Sequence, residues 1–115
     1  MAKQLLLIEF GMGSSLRRQD YTEAARRAIR HALWRNSINL AELFGKEKSE
    51  MIIDLKVGVA EPEMVDTDAL AAEFPYGRVS VEVVQGGLDV PRPVAAPNVM
   101  ANVALSVSLD LEDAA

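Results

Sequence analysis

Ser14 and Ser15 close a glycine-bounded run, Gly11-Met12-Gly13-Ser14-Ser15, and are followed by Arg17 and Arg18. A serine hydroxyl becomes a nucleophile when a partly desolvated amine takes its proton, and Lys56 is placed to be that amine. The same run follows an apolar strand, so its backbone N–H groups and the two guanidinium groups could also hold a small carboxylate, phosphate or ring carbonyl. Gly86 and Gly87 permit a second close backbone approach. The ligand-binding candidates are therefore Gly11, Gly13, Ser14, Ser15, Arg17, Arg18, Gly86 and Gly87, and the catalytic candidates are Ser14, Ser15 and Lys56. Each has a structural use as well: the glycines suit a tight turn with positive φ, and Lys56 suits the solvated side of a strand.

Other chemistries are poorly served. The dinucleotide fingerprint lacks its third glycine, and the helix that should follow at once begins only at Asp20. His31 has no second histidine and no cysteine to share a metal with. Glu61, Glu63, Asp66 and Asp68 lack EF-hand spacing, and Asp66 or Thr67 is better suited to cap a helix. No metal and no cofactor is expected.

The elements that must position these residues fit one domain of 115 residues, half of them apolar, a quarter charged and none cysteine. No run reaches the roughly 20 apolar residues needed to span a bilayer, so a cytoplasmic chain without a membrane partner is expected. Residues 1–45 carry a formal +3 and residues 46–115 a formal −8, a polarised chain of pI near 4.8. That acidity argues against nucleic acid, although five arginines and Trp34 could otherwise meet phosphates and stack on bases.

Residues 3–10 read as a first strand, central in its sheet, because a short aliphatic run bounded by glycines is too brief for a helix. The segment from Gly11 to Gln19 reads as a loop. Asp20 with Glu23 three residues on forms a capping box for a helix running to about Asn36. Tyr21, Ala25, Ala28, Ile29, Ala32 and Leu33 share one arc of it, with Arg26, Arg27 and Arg30 opposite. Residues 39–44 read as a helical turn ended by Gly45. Strands follow at 51–60 and 78–85, with a two-turn helix around 68–74 between them. After a loop with Pro91, Pro93 and Pro97, the last strand alternates cleanly from Val99 to Leu109. The expected fold is α+β: two layers, a mixed four-stranded sheet, one long and one short helix, in the order β-α-β-α-β-β.

One full-length helix cannot cover both faces of four long strands, so self-association is expected. Ala104, Ser106 and Ser108 leave room on the second face for another layer, and Trp34 beside arginines suits an interface. A trimer or a multiple of one is the expected assembly, with a small anionic ligand at its seams.

Gly11, Met12, Gly13, Gln19, Asp20, Thr22, Ala25, Arg27, Ala28, Asn36 and Ser37, with the later Pro75-Tyr76-Gly77, Val83-Val84 and Gly86-Gly87, together resemble the Lin-type conserved hypothetical family of small bacterial and plant proteins. That family shows GxGxDxHG near its start, then QDxT and an alanine-rich helix. Where its motif has Asp, His and Gly, this chain has Ser15, Arg17 and Arg18, so acid or imidazole chemistry would be replaced by affinity for an anion. The resemblance implies a fold and an assembly habit and no particular reaction. The small α+β unit is also similar to the repeated units of ring-opening amidohydrolases, which carry serine and lysine at shared interfaces. That likeness implies, as an alternative, hydrolysis of cyclic amides or imides by a Ser-Lys pair, though the Ser-Gly-Gly-Thr segment of that class is absent. A structural protein without a small-molecule site is the third reading.

Overall fold

The computed structural model describes residues 2–16, 18–34 and 45–111, apart from the side chains of Ala2 and Trp34. The expectations placed on Arg17, on residues 35–44 and on the Trp34 side chain lie outside the described residues.

The described elements are β1 (Ala2–Ser15), α1 (Tyr21–Trp34), β2 (Ile52–Val59), α2 (Thr67–Ala71), β3 (Arg78–Gln85), β4 (Leu88–Arg92) and β5 (Ala95–Leu111). One mixed sheet runs β1-β5-β2-β3, and β4 pairs with β5. β1 and β2 flank β5 antiparallel, whereas β2 and β3 are parallel. The architecture is the expected α+β two-layer one, with five strands in place of four. β1 is an edge strand, where a central place was expected, because β5 is its only pairing partner in the sheet.

Two differences have local causes. β1 continues through Gly11-Met12-Gly13-Ser14-Ser15, the run read as a loop, because β5 is long enough to pair with it out to Ser15↔Val99. β4 lies inside the proline-rich connection. Pro91 falls at a register shift between Val90 and Arg92, Pro93 starts the turn to β5, and Pro97 precedes the stretch of β5 that β1 pairs with. A proline that owes no ladder hydrogen bond does not break a strand.

Both helices lie on one face. Ala24, Ala25, Ala28, Ile29 and Ala32 of α1 are buried with Val99, Ala101, Val103, Leu105, Val107 and Leu109 of β5 and with Ile53, Leu55, Val57 and Val59 of β2. Each of the larger aliphatic side chains contributes roughly 1.5–3 kcal/mol relative to exposure. Leu70 of α2 completes the layer toward β3. Gly11 and Gly13 set how deeply α1 can settle: a β-carbon on Gly11 would stand 2.3 Å from the Ala28 carbonyl oxygen, and one on Gly13 would stand 2.3 Å from Ala28 N.

The opposite face carries no helix among the described residues. By register it presents Leu5, Ile8, Phe10 and Met12 of β1, the small Ala104 and Ser106 of β5, and the polar side of β2 and β3. Leu5, Ile8, Phe10 and Met12 are 56%, 47%, 65% and 57% exposed.

Candidate functional site

Where β1 leaves the sheet, Arg18 and Gln19 take φ of 66° and 52°, a left-handed corner that turns the chain into α1. Asp20 then caps the helix, its Oδ1 accepting from Glu23 N at 3.0 Å. Ser15, Arg18, Asp20, Glu23 and Arg27 line a cleft of about 300 Å³ around this corner. Arg27 Nη1 donates to the Ser14 carbonyl at 2.7 Å, and its Nε is 3.3 Å from Glu23 Oε1. The cleft is thus polar and holds two acids against two arginines, with Asp20 already occupying the positive end of the helix.

Below the corner lies a cluster that sequence reading missed. The Tyr21 O–H donates to Asp89 Oδ2, and its oxygen is also 3.0 Å from Glu61 Oε2. Gln19 Nε2 donates to the Tyr21 oxygen at 3.0 Å and to Glu61 at 3.1 Å. Tyr21 is 2% exposed. Burial, seconded by the bond to Asp89, pushes its phenol up to about 12, since the phenolate would be both desolvated and set among carboxylates. Asp89 Oδ1 is buried with no hydrogen-bond partner among the described residues. The cluster ties α1, the exit of β2 and β4 together through one hydroxyl. Its members come from four separate places in the chain, so spacing gave no sign of it. A tyrosine at the first position of an amphipathic helix, whose polar tip must find a partner, was the available signal.

The structure places the other candidates as follows. Gly11 and Gly13 are strand residues pressed against α1, with the space beside them filled by helix backbone, so they form no cradle. The positive φ expected of them belongs instead to Arg18, Gln19, Gly45, Gly77 and Gly87. Gly86 and Gly87 are likewise filled by their own chain: Gly86 N donates to Val59 O at 2.8 Å, and a β-carbon on Gly87 would meet Met100 O at 2.2 Å. Both glycine pairs nevertheless converge on one stretch of β5, where Met100 pairs with Ser14 on one side and Leu88 on the other.

Ser14 and Lys56 are not brought together within one chain. Ser14 pairs opposite Met100 and Lys56 opposite Ala104, two strands apart, which separates them by roughly 16 Å. Lys56 instead pairs with Glu82 at 3.6 Å on the exposed side. Ser15 is buried at 5% exposure. The arginine face of α1 is also engaged: Arg30 Nε donates to Glu73 Oε1 at 2.8 Å, and Arg26 Nη1 donates to Glu23 Oε2 at 2.7 Å. His31 Nδ1 accepts from Met12 N at 3.1 Å, so its neutral ring carries the proton on Nε2. Of the four acids, Glu61 serves Tyr21, and Asp66 caps α2 by accepting from Asp68 N and Ala69 N.

Residues 5–107 match the conserved hypothetical protein family Lin0512. The chain belongs to this family. Gln19, Asp20 and Thr22 are three of the positions that carry the likeness, and each has a structural task here: a tie to Glu61, the cap of α1, and acceptance of the Asp66 N–H at 2.9 Å. The fold is similar to the crystal structure of an FtsZ-like protein of unknown function from Nostoc punctiforme, with a TM-score of 0.88 and 32% identity over 96% of this chain and 99% of that one. Among curated proteins none matches. No described helix is long and apolar enough to cross a membrane.

Proposed function

We propose that this member of the Lin0512 family is a homo-oligomeric subunit that covers its bare sheet face with further copies and holds a small polar or anionic ligand in the cleft at the start of α1. The observation that carries the first part is the row Leu5, Ile8, Phe10 and Met12, four apolar side chains side by side and about half exposed on a face without helices. A contiguous patch of that kind marks an interaction surface rather than solvent-facing sheet. The ligand reading rests on the cleft, where Arg18 joins Ser15 and Arg27 within about 300 Å³. Charge-assisted bonds from arginine suit a carboxylate or phosphate of a few atoms.

Sedimentation velocity at micromolar concentration tests assembly. The unmodified chain is expected to sediment as an oligomer and the Phe10→Lys, Met12→Lys double variant as a folded monomer. A monomeric unmodified chain at tens of micromolar overturns the reading. For the ligand, thermal shifts with inorganic phosphate and with small dicarboxylates are expected to vanish in Arg18→Ala; shifts indifferent to that change, or none, contradict it.

A further inference from the structure

The bare face and the free edge of β1 offer a second copy two different ways to dock, and the edge is obstructed. Met12 N–H points away from β5, because it bonds His31 Nδ1, and Ser14 O points the same way, toward Arg27 Nη1. Side chains of α1 therefore occupy the later part of the edge. At the other end the register shifts between Leu5 and Leu7, which breaks the regular spacing of outward N–H and C=O groups. In an antiparallel ladder the outward groups alternate, so only Ile8 and Phe10 keep a regular outward pair between these two obstacles. A bulge and a covered edge are the devices by which sheets resist edge-to-edge growth.

The face has no such protection. Its charged residues by register are Lys3, Asp54, Lys56, Arg78, Glu82 and Asp110, and they pair within the chain: Lys3 with Asp54 at 2.8 Å, Lys56 with Glu82 at 3.6 Å and Arg78 with Asp110 at 3.5 Å. Three positive and three negative groups bring no net charge against an identical face. The strand lengths and spacings make the face roughly 700 Å² in extent, close to the ~800 Å² per partner of a standard interface. Phe10, the most exposed of the β1 row, stands beside Ala104 in register, where the small β5 side chains leave a slot.

We infer that two copies pack face to face, sheet on sheet, with the Phe10 ring of each copy seated over the Ala104–Ser106 slot of the other, and that the sheet does not extend through the β1 edge. This rests on the assembly reading above and specifies its geometry. Packed sheets stand about 10 Å apart, a gap that Phe10 can bridge and a small residue must receive.

The chain has no cysteine, so single cysteines report cleanly. Asn102→Cys, Ala104→Cys and Ser106→Cys are made separately, oxidised, and compared with a short bismaleimide, while amide exchange is followed at Ile8 and Phe10. Face packing predicts covalent dimers from at least one of the three and fast exchange at both amides. In an edge-extended sheet the two Ala104 positions lie three strand spacings apart, about 14 Å, too far for a disulfide. An oligomer with none of the three cross-linked, or with both amides protected, overturns the face-to-face geometry and leaves the assembly reading standing. A monomer overturns both. A monomer with Phe10 shielded from solvent would assign the cover to residues 35–44 of the same chain.

Discussion

Gly13 of β1 and Ala28 of α1 are in contact through their backbones: a β-carbon on Gly13 would lie 2.3 Å from Ala28 N and 2.6 Å from Ala24 O. Both are main-chain atoms of a packed helix and cannot swing aside. Gly13→Ala must therefore lift α1 off the sheet, at a cost of about 3 kcal/mol or more. Gly58→Ala, whose new β-carbon would find its nearest neighbour at 3.4 Å, is expected to cost under about 1 kcal/mol. Urea melts of the two variants check the contrast. Equal losses would show that the glycine does not set the helix height.

The Tyr21 phenol has a folded value of about 12 against an ordinary 10.0. The folded chain thus favours the neutral phenol, so the stability it adds is complete below pH 10 and drains away as the pH rises toward 12. The loss over that window is on the order of 2 kcal/mol. Tyr21→Phe should remove this slope and cost about 1–3 kcal/mol at neutral pH, because Asp89 and Glu61 then face each other without the hydroxyl. The stability difference between the two chains, followed by denaturant melts from pH 8 to 12, must shrink as pH rises; a constant difference contradicts the cluster.

Asp66 accepts from two backbone N–H groups at the start of α2, Asp68 N at 3.1 Å and Ala69 N at 3.2 Å. Asp66→Ala is expected to cost about 0.5–2 kcal/mol and Asp66→Asn much less, since an amide oxygen also accepts. Hydrogen exchange on α2 would show the loss locally.

Lys56→Ala should change stability by less than about 0.5 kcal/mol, because the lysine makes only an exposed pair with Glu82. If a cyclic imide or amide is turned over and this variant abolishes it, the serine must come from another copy.

The parts of the fold written in side-chain alternation were legible in the sequence: β2, β3, the Val99–Leu109 stretch of β5 and the buried arc of α1 all follow from local period alone. Gly11 and Gly13 misled because a glycine that admits a neighbouring helix looks the same in sequence as one that makes a turn. β4 was hidden by prolines whose missing N–H groups fall where no partner asks for them. Arg18 and Ser15 were found as cleft residues. Tyr21 was read as core and its hydroxyl overlooked, since Glu61 and Asp89 are brought to it by strands that meet only in three dimensions.

β5 binds three strands, and the first of them, β1, was made some ninety residues before it. On a ribosome, β1 emerges with its only strand partner still unsynthesised, and its Leu5–Phe10 stretch stays adhesive throughout that wait. Such long-range closure slows folding, so a holding chaperone during translation would matter more for this chain than for a helical protein of equal size.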